Sequence, residues 1–278
     1  MTGGRATPLD RKVDIFVAGF QKCGTSALCD LLDRHPQIGL SRPKEPAWFS
    51  GGRLARSEEE YLGFFPAKKT LWVDGSTAYS FPENAASVAA GIHKHNPEAK
   101  FIFVVRNPVN RVRSVLNHAM FENEKKLTPD QIVQRATRRS AYYAPISCFS
   151  SYFEKEAIFV LSMDELLLTQ GKTVIDFLGL ERLEEPLRPV NYTATRRKEN
   201  FLTGFYRRNW RIFNRFSLQK KMRRSFSNLF RSFLMRKIDP KQSNDLSKDC
   251  IEYIEFELRS DKKLFQKEFN IDYMDLEQ

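Results

Sequence analysis

Val13-Asp14-Ile15-Phe16-Val17-Ala18-Gly19-Phe20 runs into Gln21-Lys22-Cys23-Gly24-Thr25-Ser26 and then into Ala27-Leu28-Cys29-Asp30-Leu31-Leu32. The first stretch is apolar, with β-branched and aromatic residues. The second is a polar loop holding a glycine, and the third is apolar at helical spacing, so the order is strand, loop, helix. The helix from Thr25 to Leu32 should stop at His35-Pro36, because a residue before proline is pushed out of the α region. A second such unit begins at Lys100. Phe101 to Val105 is a buried strand, Asn107 caps a helix with Pro108 in its first turn, and Val112, Val115, Leu116 and Ala119 keep helical spacing. Ala157 to Ser162 is a third strand, followed by Met163 to Leu168 and by a helix around Thr173 to Leu178 that closes at Gly179. Leu71 to Asp74 is a weaker strand. Strands alternating with helices predict one α/β domain over residues 1–278, a central parallel sheet flanked by helices in three layers.

The composition agrees. The chain has 278 residues, 41% hydrophobic and 28% charged, with 23 Phe. These values exclude a disordered, collagenous or disulfide-scaffold protein. No stretch reaches the length of apolar sequence that a membrane helix needs. Met1 to Lys12 lacks the apolar centre of a signal peptide. Cys23, Cys29, Cys148 and Cys250 have neither CxxC spacing nor His partners at metal-ligand intervals, which predicts reduced thiols, no zinc site and a cytoplasmic location.

The net charge of +11 is concentrated in one place. Residues 196–237 hold 14 Lys or Arg and one acid, Glu199, while the remainder of the chain is close to neutral. Basicity is thus a local device. Met222, Phe226, Leu229, Phe230, Phe233 and Leu234 recur every three or four residues among the basic side chains. This predicts an amphipathic helix over Ser217 to Lys237 within a basic, mostly helical segment 196–240. Such a segment suits an anionic polymer or an acidic membrane surface, and nucleic acid less well, since no nucleic-acid motif accompanies it. Ser247 to Phe269 also has helical periodicity and is expected to pack back on the sheet.

Gly19 to Gly24 stands where backbone N–H groups and a helix dipole create an anion site. The spacing fits GxxxxG, but Thr25 and Ser26 follow the second glycine, and the lysine is Lys22, inside the loop. A nucleotide kinase would also need an acidic residue ending a neighbouring strand to hold magnesium. The strand from Phe101 ends instead in Arg106, with Ser114 two turns into the next helix, as for a second phosphate. Arg111 and Arg113 read as solvated helix charges.

Two phosphate turns with the lysine in the loop resemble the sulfotransferases that use 3′-phosphoadenosine 5′-phosphosulfate (PAPS). The resemblance is carried by GFQKCGTSAL with LLDRHPQI, KEPAWF, FIFVVRNPVNRVRSVLNH, and VLSMDELL with DFLGL, in family order over about residues 13 to 180. It is nearest to the carbohydrate type, the heparan sulfate enzymes and their bacterial relatives. The resemblance implies a P-loop-like fold with the 5′-phosphosulfate on Gln21, Lys22, Cys23, Gly24, Thr25 and Ser26 and the 3′-phosphate on Arg106 and Ser114. It implies Lys22 at the bridging oxygen, Glu45 as the base, and Arg196, Arg197 and Lys198 closing over the nucleotide. PAPS would be the donor and PAP the product, with no metal required. The acceptor would be a hydroxyl, on a carbohydrate or alternatively on a small molecule or lipid headgroup.

Glu45 lies between Pro43 and Pro46, which restrict the backbone and present its side chain repeatably. His118, four residues past Ser114 on one helix face, is the second candidate base, and Asp30 and Asp74 follow. The chain departs from the family in having Ala47 after Pro46, where bacterial relatives carry His, and Gly75 where the heparan enzymes carry lysine. Cys23, beside Lys22 at a helix start, is a candidate redox-sensitive thiol, with simple packing as the alternative. The other function classes are a P-loop kinase and a non-catalytic polyanion- or membrane-binding protein with a vestigial nucleotide site.

Overall fold

The computed structural model describes residues 11–121, 127–182 and 246–276, together with two short strands at 197–199 and 235–237. In chain order the strands are β1 (Ile15–Gly19), β2 (Ile38–Leu40), β3 (Leu71–Asp74), β4 (Lys100–Val105), β5 (Ile158–Ser162), β6 (Arg197–Glu199) and β7 (Met235–Lys237). The helices among the described residues are α1 (Thr25–Arg34), α2 (Glu58–Leu62), α3 (Ala85–His95), α4 (Pro108–Phe121), α5 (Pro129–Arg138), α6 (Tyr143–Ser150), α7 (Met163–Leu168), α8 (Lys172–Leu178) and α9 (Lys248–Phe269). Short turns of 3-10 helix join them at Trp48–Ser50, Thr77–Ser80 and Lys155–Ala157.

The first five strands form one parallel sheet in the order β2-β3-β1-β4-β5. From β1 the chain leaves toward β2 on one side, and from β4 it leaves toward β5 on the other. The crevice between the carboxyl ends of β1 and β4 is therefore a topological switch point, the place where open α/β sheets bind ligands. β1 and β4 are buried almost throughout, as a sheet covered on both faces requires. Phenylalanine fills much of the space: Phe101 packs on Phe16, Phe149 and Phe153 with ring centroids 5.6, 5.0 and 4.5 Å apart.

Helix boundaries follow local chemistry. α1 ends before His35-Pro36, and α4 begins at Pro108 with the Asn107 side chain accepting from Val109 N and Asn110 N. α5 opens on a capping box formed by Thr128 and Gln131, and α8 closes on Gly179 at φ 70°. Two expectations change. Residues 235–237, expected at the end of an amphipathic helix, form β7, which pairs antiparallel with β6. The rest of segment 196–240, including Arg196 and residues 217–234, lies outside the described residues. The C-terminal α9 packs on α4, α5 and α6 more than on the sheet, with Ile254 and Leu258 inside that helical layer.

Candidate active site

The loop from Gly19 to Ser26 is shaped by what surrounds it. Ser80 packs so closely on Gly19 that a Cβ there would lie 2.5 Å from its Oγ, so only glycine fits. Lys22 and Gly24 both turn through the left-handed region, at φ 69° and 88°. Gly24 allows this freely, whereas Lys22 holds it at a cost of the kind found where a binding loop is pre-organised. Gly24 is also the cap of α1, so no side chain accepts from the first-turn N–H groups, and the first turns of α1 and α4 contain no acid. The start of α1 thus offers donors and positive potential, the chemistry a phosphate or sulfate group requires, whereas at α4 the Asn107 side chain takes the N–H groups of Val109 and Asn110 and the helix end contributes its acid-free positive potential.

Arg106 directly follows β4, half-buried, with Ser114 half-buried on α4. Two residues that the sequence reading did not assign to the site join the parts. Arg111, read as solvated, is 1% exposed. Its Nε donates to Gln21 O at 2.8 Å, and its Nη1 donates to Ala136 O at 2.9 Å and Ser140 Oγ at 2.7 Å. One guanidinium thus ties the Gly19–Ser26 loop to α5, and these acceptors are all neutral, so its charge adds to the field in the loop. Tyr142 is buried as well; its hydroxyl donates to Arg106 O at 2.7 Å and stands 3.9 Å from Cys23 Sγ. Burial pushes the Cys23 thiol up, outweighing the opposite pull of Arg111 and Arg106. Cys23 is therefore a packing residue, not an activated thiol.

Glu45 sits on the other flank, exposed and held between two partners. Lys44 Nζ is 2.9 Å from its Oε1, and Thr77 Oγ1 donates to its Oε2 at 2.9 Å. A Cβ on Gly75 would lie 3.2 Å from the Lys44 side chain and 2.8 Å from Cys29 Sγ. The lysine stem thus lies over Gly75, the position where the heparan-type pattern has its own lysine. A basic group remains in the region, supplied from the adjacent loop.

Beneath this pair lies Asp74, fully buried. It accepts from Ser76 N (2.9 Å), Ser76 Oγ (2.5 Å), Tyr61 OH (2.8 Å) and Tyr79 OH (2.7 Å). Burial raises its carboxyl to about 6 against the downward pull of those donors, so it is ionised at neutral pH. Ser76 Oγ also accepts from Ala47 N at 2.8 Å. Asp74 is consequently the anchor of the loop that presents Glu45 and Thr77. Trp48 stacks on Tyr61 and Phe49 packs on Phe16, which fixes the far side of that loop.

The structure thus gathers Gln21 to Ser26 with Arg106 at one crevice and puts Glu45 beside Thr77 on its flank. His118 is half-buried on α4, one turn beyond Ser114. Asp30 pairs with Arg34 on α1 at 3.5 Å. Arg197 and Lys198 lie on β6, their side chains outside the described residues. Arg111 and Tyr142 carried no sequence signal that separates a buried tie from an ordinary surface Arg or Tyr.

Comparison with known proteins adds independent support. A sulfotransferase domain model matches residues 12–248. The bifunctional heparan sulfate N-deacetylase/N-sulfotransferase 1 of Caenorhabditis elegans is 23% identical over 190 residues, which is 60% of this chain and 21% of that protein. Carbohydrate sulfotransferase 15 of Mus musculus is 25% identical over 160 residues, 41% of this chain and 28% of that protein. The chain therefore spans less than a third of the length of these curated relatives. A sulfotransferase from Alicyclobacillus acidocaldarius shares the fold, with a TM-score of 0.62 at 18% identity, covering 94% of this chain and 97% of that one. With the family model running over residues 12–248, through the Gly19–Ser26 loop, the Glu45 loop and the start of α4, the chain belongs to the sulfotransferase domain family.

Proposed function

We propose that the protein transfers a sulfuryl group from PAPS to an acceptor hydroxyl on a carbohydrate. The observation that carries this reading is the adjacency of the carboxyl ends of β1 and β4, each opening into an acid-free helix start, with Arg111 bonded across from α4 to the phosphate loop. A nucleotide bearing phosphate at both ends of its ribose suits two such anion turns. PAPS, when bound, supplies the sulfuryl group.

The chain's own residues do the rest. Lys22 and the N-terminus of α1 neutralise negative charge at the donor end, and Arg106 with Ser114 holds the 3′-phosphate. Glu45 takes the acceptor proton, and Thr77 and Lys44 fix which way its carboxylate faces. Transfer of this kind depends on in-line placement and on charge neutralisation more than on covalent chemistry. His118 is the second candidate for the base. The carbohydrate acceptor is supported by the curated relatives' names, and a small molecule or lipid headgroup is the second reading. Arg197, Lys198 and the basic segment 196–237 are proposed to cover the nucleotide and to attract an anionic polymer or membrane surface. A reducing, cytoplasmic setting is proposed on the four free thiols.

Calorimetry tests the reading. PAP should bind in the presence of a chelator and more tightly than ATP, and a preference for ATP with magnesium would remove the assignment. Glu45→Gln should lower transfer by about 10²–10⁴ while PAP affinity stays nearly constant. Lys22→Ala should weaken both, and full turnover by the Glu45 variant would show that another group is the base.

A further inference from the structure

α9 buries one side and leaves the other bare. Ile254, Leu258 and Phe265 turn into the protein, while Tyr253, Phe256 and Leu264 face away from it, 37%, 65% and 48% exposed. With Ser260 among them they recur at intervals of three and four, so they form one stripe along a 22-residue helix that is about 33 Å long. Three of the seven large apolar side chains exposed among the described residues lie in this stripe, so it is a concentration and not the scatter that any surface carries. Arg259 stands 5.6 Å from the Phe256 ring centroid and still leaves that side chain largely uncovered.

The charge beside the stripe changes sign along the helix. Residues 248–257 hold four acids, Asp249, Glu252, Glu255 and Glu257, against Lys248. Residues 258–269 hold Arg259, Lys262, Lys263 and Lys267 against Asp261 and Glu268, and of these Asp261 and Lys262 already bond to Tyr142 and Asp272. Acid at the start and base at the end complement the helix dipole, but the dipole gives no reason for aromatic side chains in water between them.

A second α9 running the opposite way accounts for both features. Turned about Ser260, whose small side chain lets two helices approach, it sets Phe256 of one copy against Leu264 of the other and Glu252 against Lys267, each contact occurring twice by symmetry. Glu252 is otherwise 3.8 Å from Lys248 in an exposed pair that is easily exchanged. A parallel copy would set acid against acid. We propose that the outer face of α9 is an interface between two copies of this chain, packed antiparallel about Ser260.

Sedimentation equilibrium of the full chain tests this. Between about 1 and 200 µM the protein should pass from monomer to dimer, with a dissociation constant on the order of 10 µM, since one helix pair is a small interface. Phe256→Ser with Leu264→Ser should weaken the dimer about tenfold or more, and Leu168→Ser, at an 86% exposed site on α7, should change nothing. Glu252→Lys and Lys267→Glu should each weaken it, and the two together should restore it. Ser260→Cys should form a covalent dimer under mild oxidation faster than the wild-type chain. A chain that stays monomeric, a dimer indifferent to the stripe, or charge variants that do not recover in combination overturn the proposal. Binding of a monomeric chain to phosphatidylserine vesicles, lost with Phe256→Ser, would overturn it as well and give the stripe to a membrane surface.

Discussion

Asp74 shows how a single carboxylate governs a site that it does not enter. Its four donors come from the turn after β3 and from Tyr61, and through Ser76 it fixes the backbone of Ala47, two residues beyond Glu45. Because its carboxyl is raised in the folded protein to about 6 from an ordinary value of 3.8, the native state binds that proton more tightly than the unfolded chain does. Its contribution to stability is therefore greatest at low pH. It falls as pH rises from about 4 to about 6, by up to about 3 kcal/mol, and is constant above. Asp74→Asn, which cannot titrate, should lack that slope, so urea unfolding of both proteins across this range should show the difference between them shrinking or reversing with pH. Parallel pH profiles would mean that the raised carboxyl is not Asp74.

At the scale of elements, the joint between the Gly19–Ser26 loop and the helical layer depends on Arg111. A lysine keeps the charge but has a single ammonium, unable to span Gln21 O on one side and Ala136 O with Ser140 Oγ on the other. Arg111→Lys is expected to cost about 2 kcal/mol in unfolding free energy and to reduce PAP affinity at least tenfold, since loop carbonyls and buried acceptors lose their donor. Unchanged PAP affinity in a folded variant would show that the tie is dispensable. The strands and helices around this joint were legible because continuous apolar runs and the caps Asn107 and Gly179 act within a few residues. That Gln21 to Ser26 form a loop between strand and helix, and that Glu45 stands between two prolines, was legible because both are local features, while the roles given to them belong to the proposal. Arg111, Tyr142 and Asp74 were not, because burial of a polar side chain is decided by elements far away in sequence. β2, with three residues, was too short to carry an alternation, and β7 has the same basic and apolar mixture that a helix would use.

Across the whole molecule, α9 supports the Arg106 turn from a distance. Asp261 accepts from Tyr142 N at 2.8 Å, from Tyr143 N at 3.1 Å and from Ala144 N at 3.3 Å, capping α6 with a side chain from another helix. Burial raises this carboxyl against those donors, and Tyr273 OH completes its shell at 3.0 Å. The same Tyr142 holds Arg106 O. Asp261→Ala should therefore lower stability by about 1–2 kcal/mol and also weaken PAP binding, although the residue touches no part of the anion turns. Chemical denaturation together with PAP titration checks both, and a loss of stability with intact PAP affinity would confine Asp261 to capping.

Asn107, which starts α4 beside Arg106, also donates its amide to Met274 O at 2.8 Å, across 167 positions of chain. During synthesis the lysine loop waits for Ser80, β4 and Arg111 with its partners up to Ser140, while the Arg106 turn waits for a segment made much later still. A ribosome-bound chain that stops between Ser140 and Met274 lacks the brace on its arginine turn, so PAP affinity should mature as a late step in biogenesis.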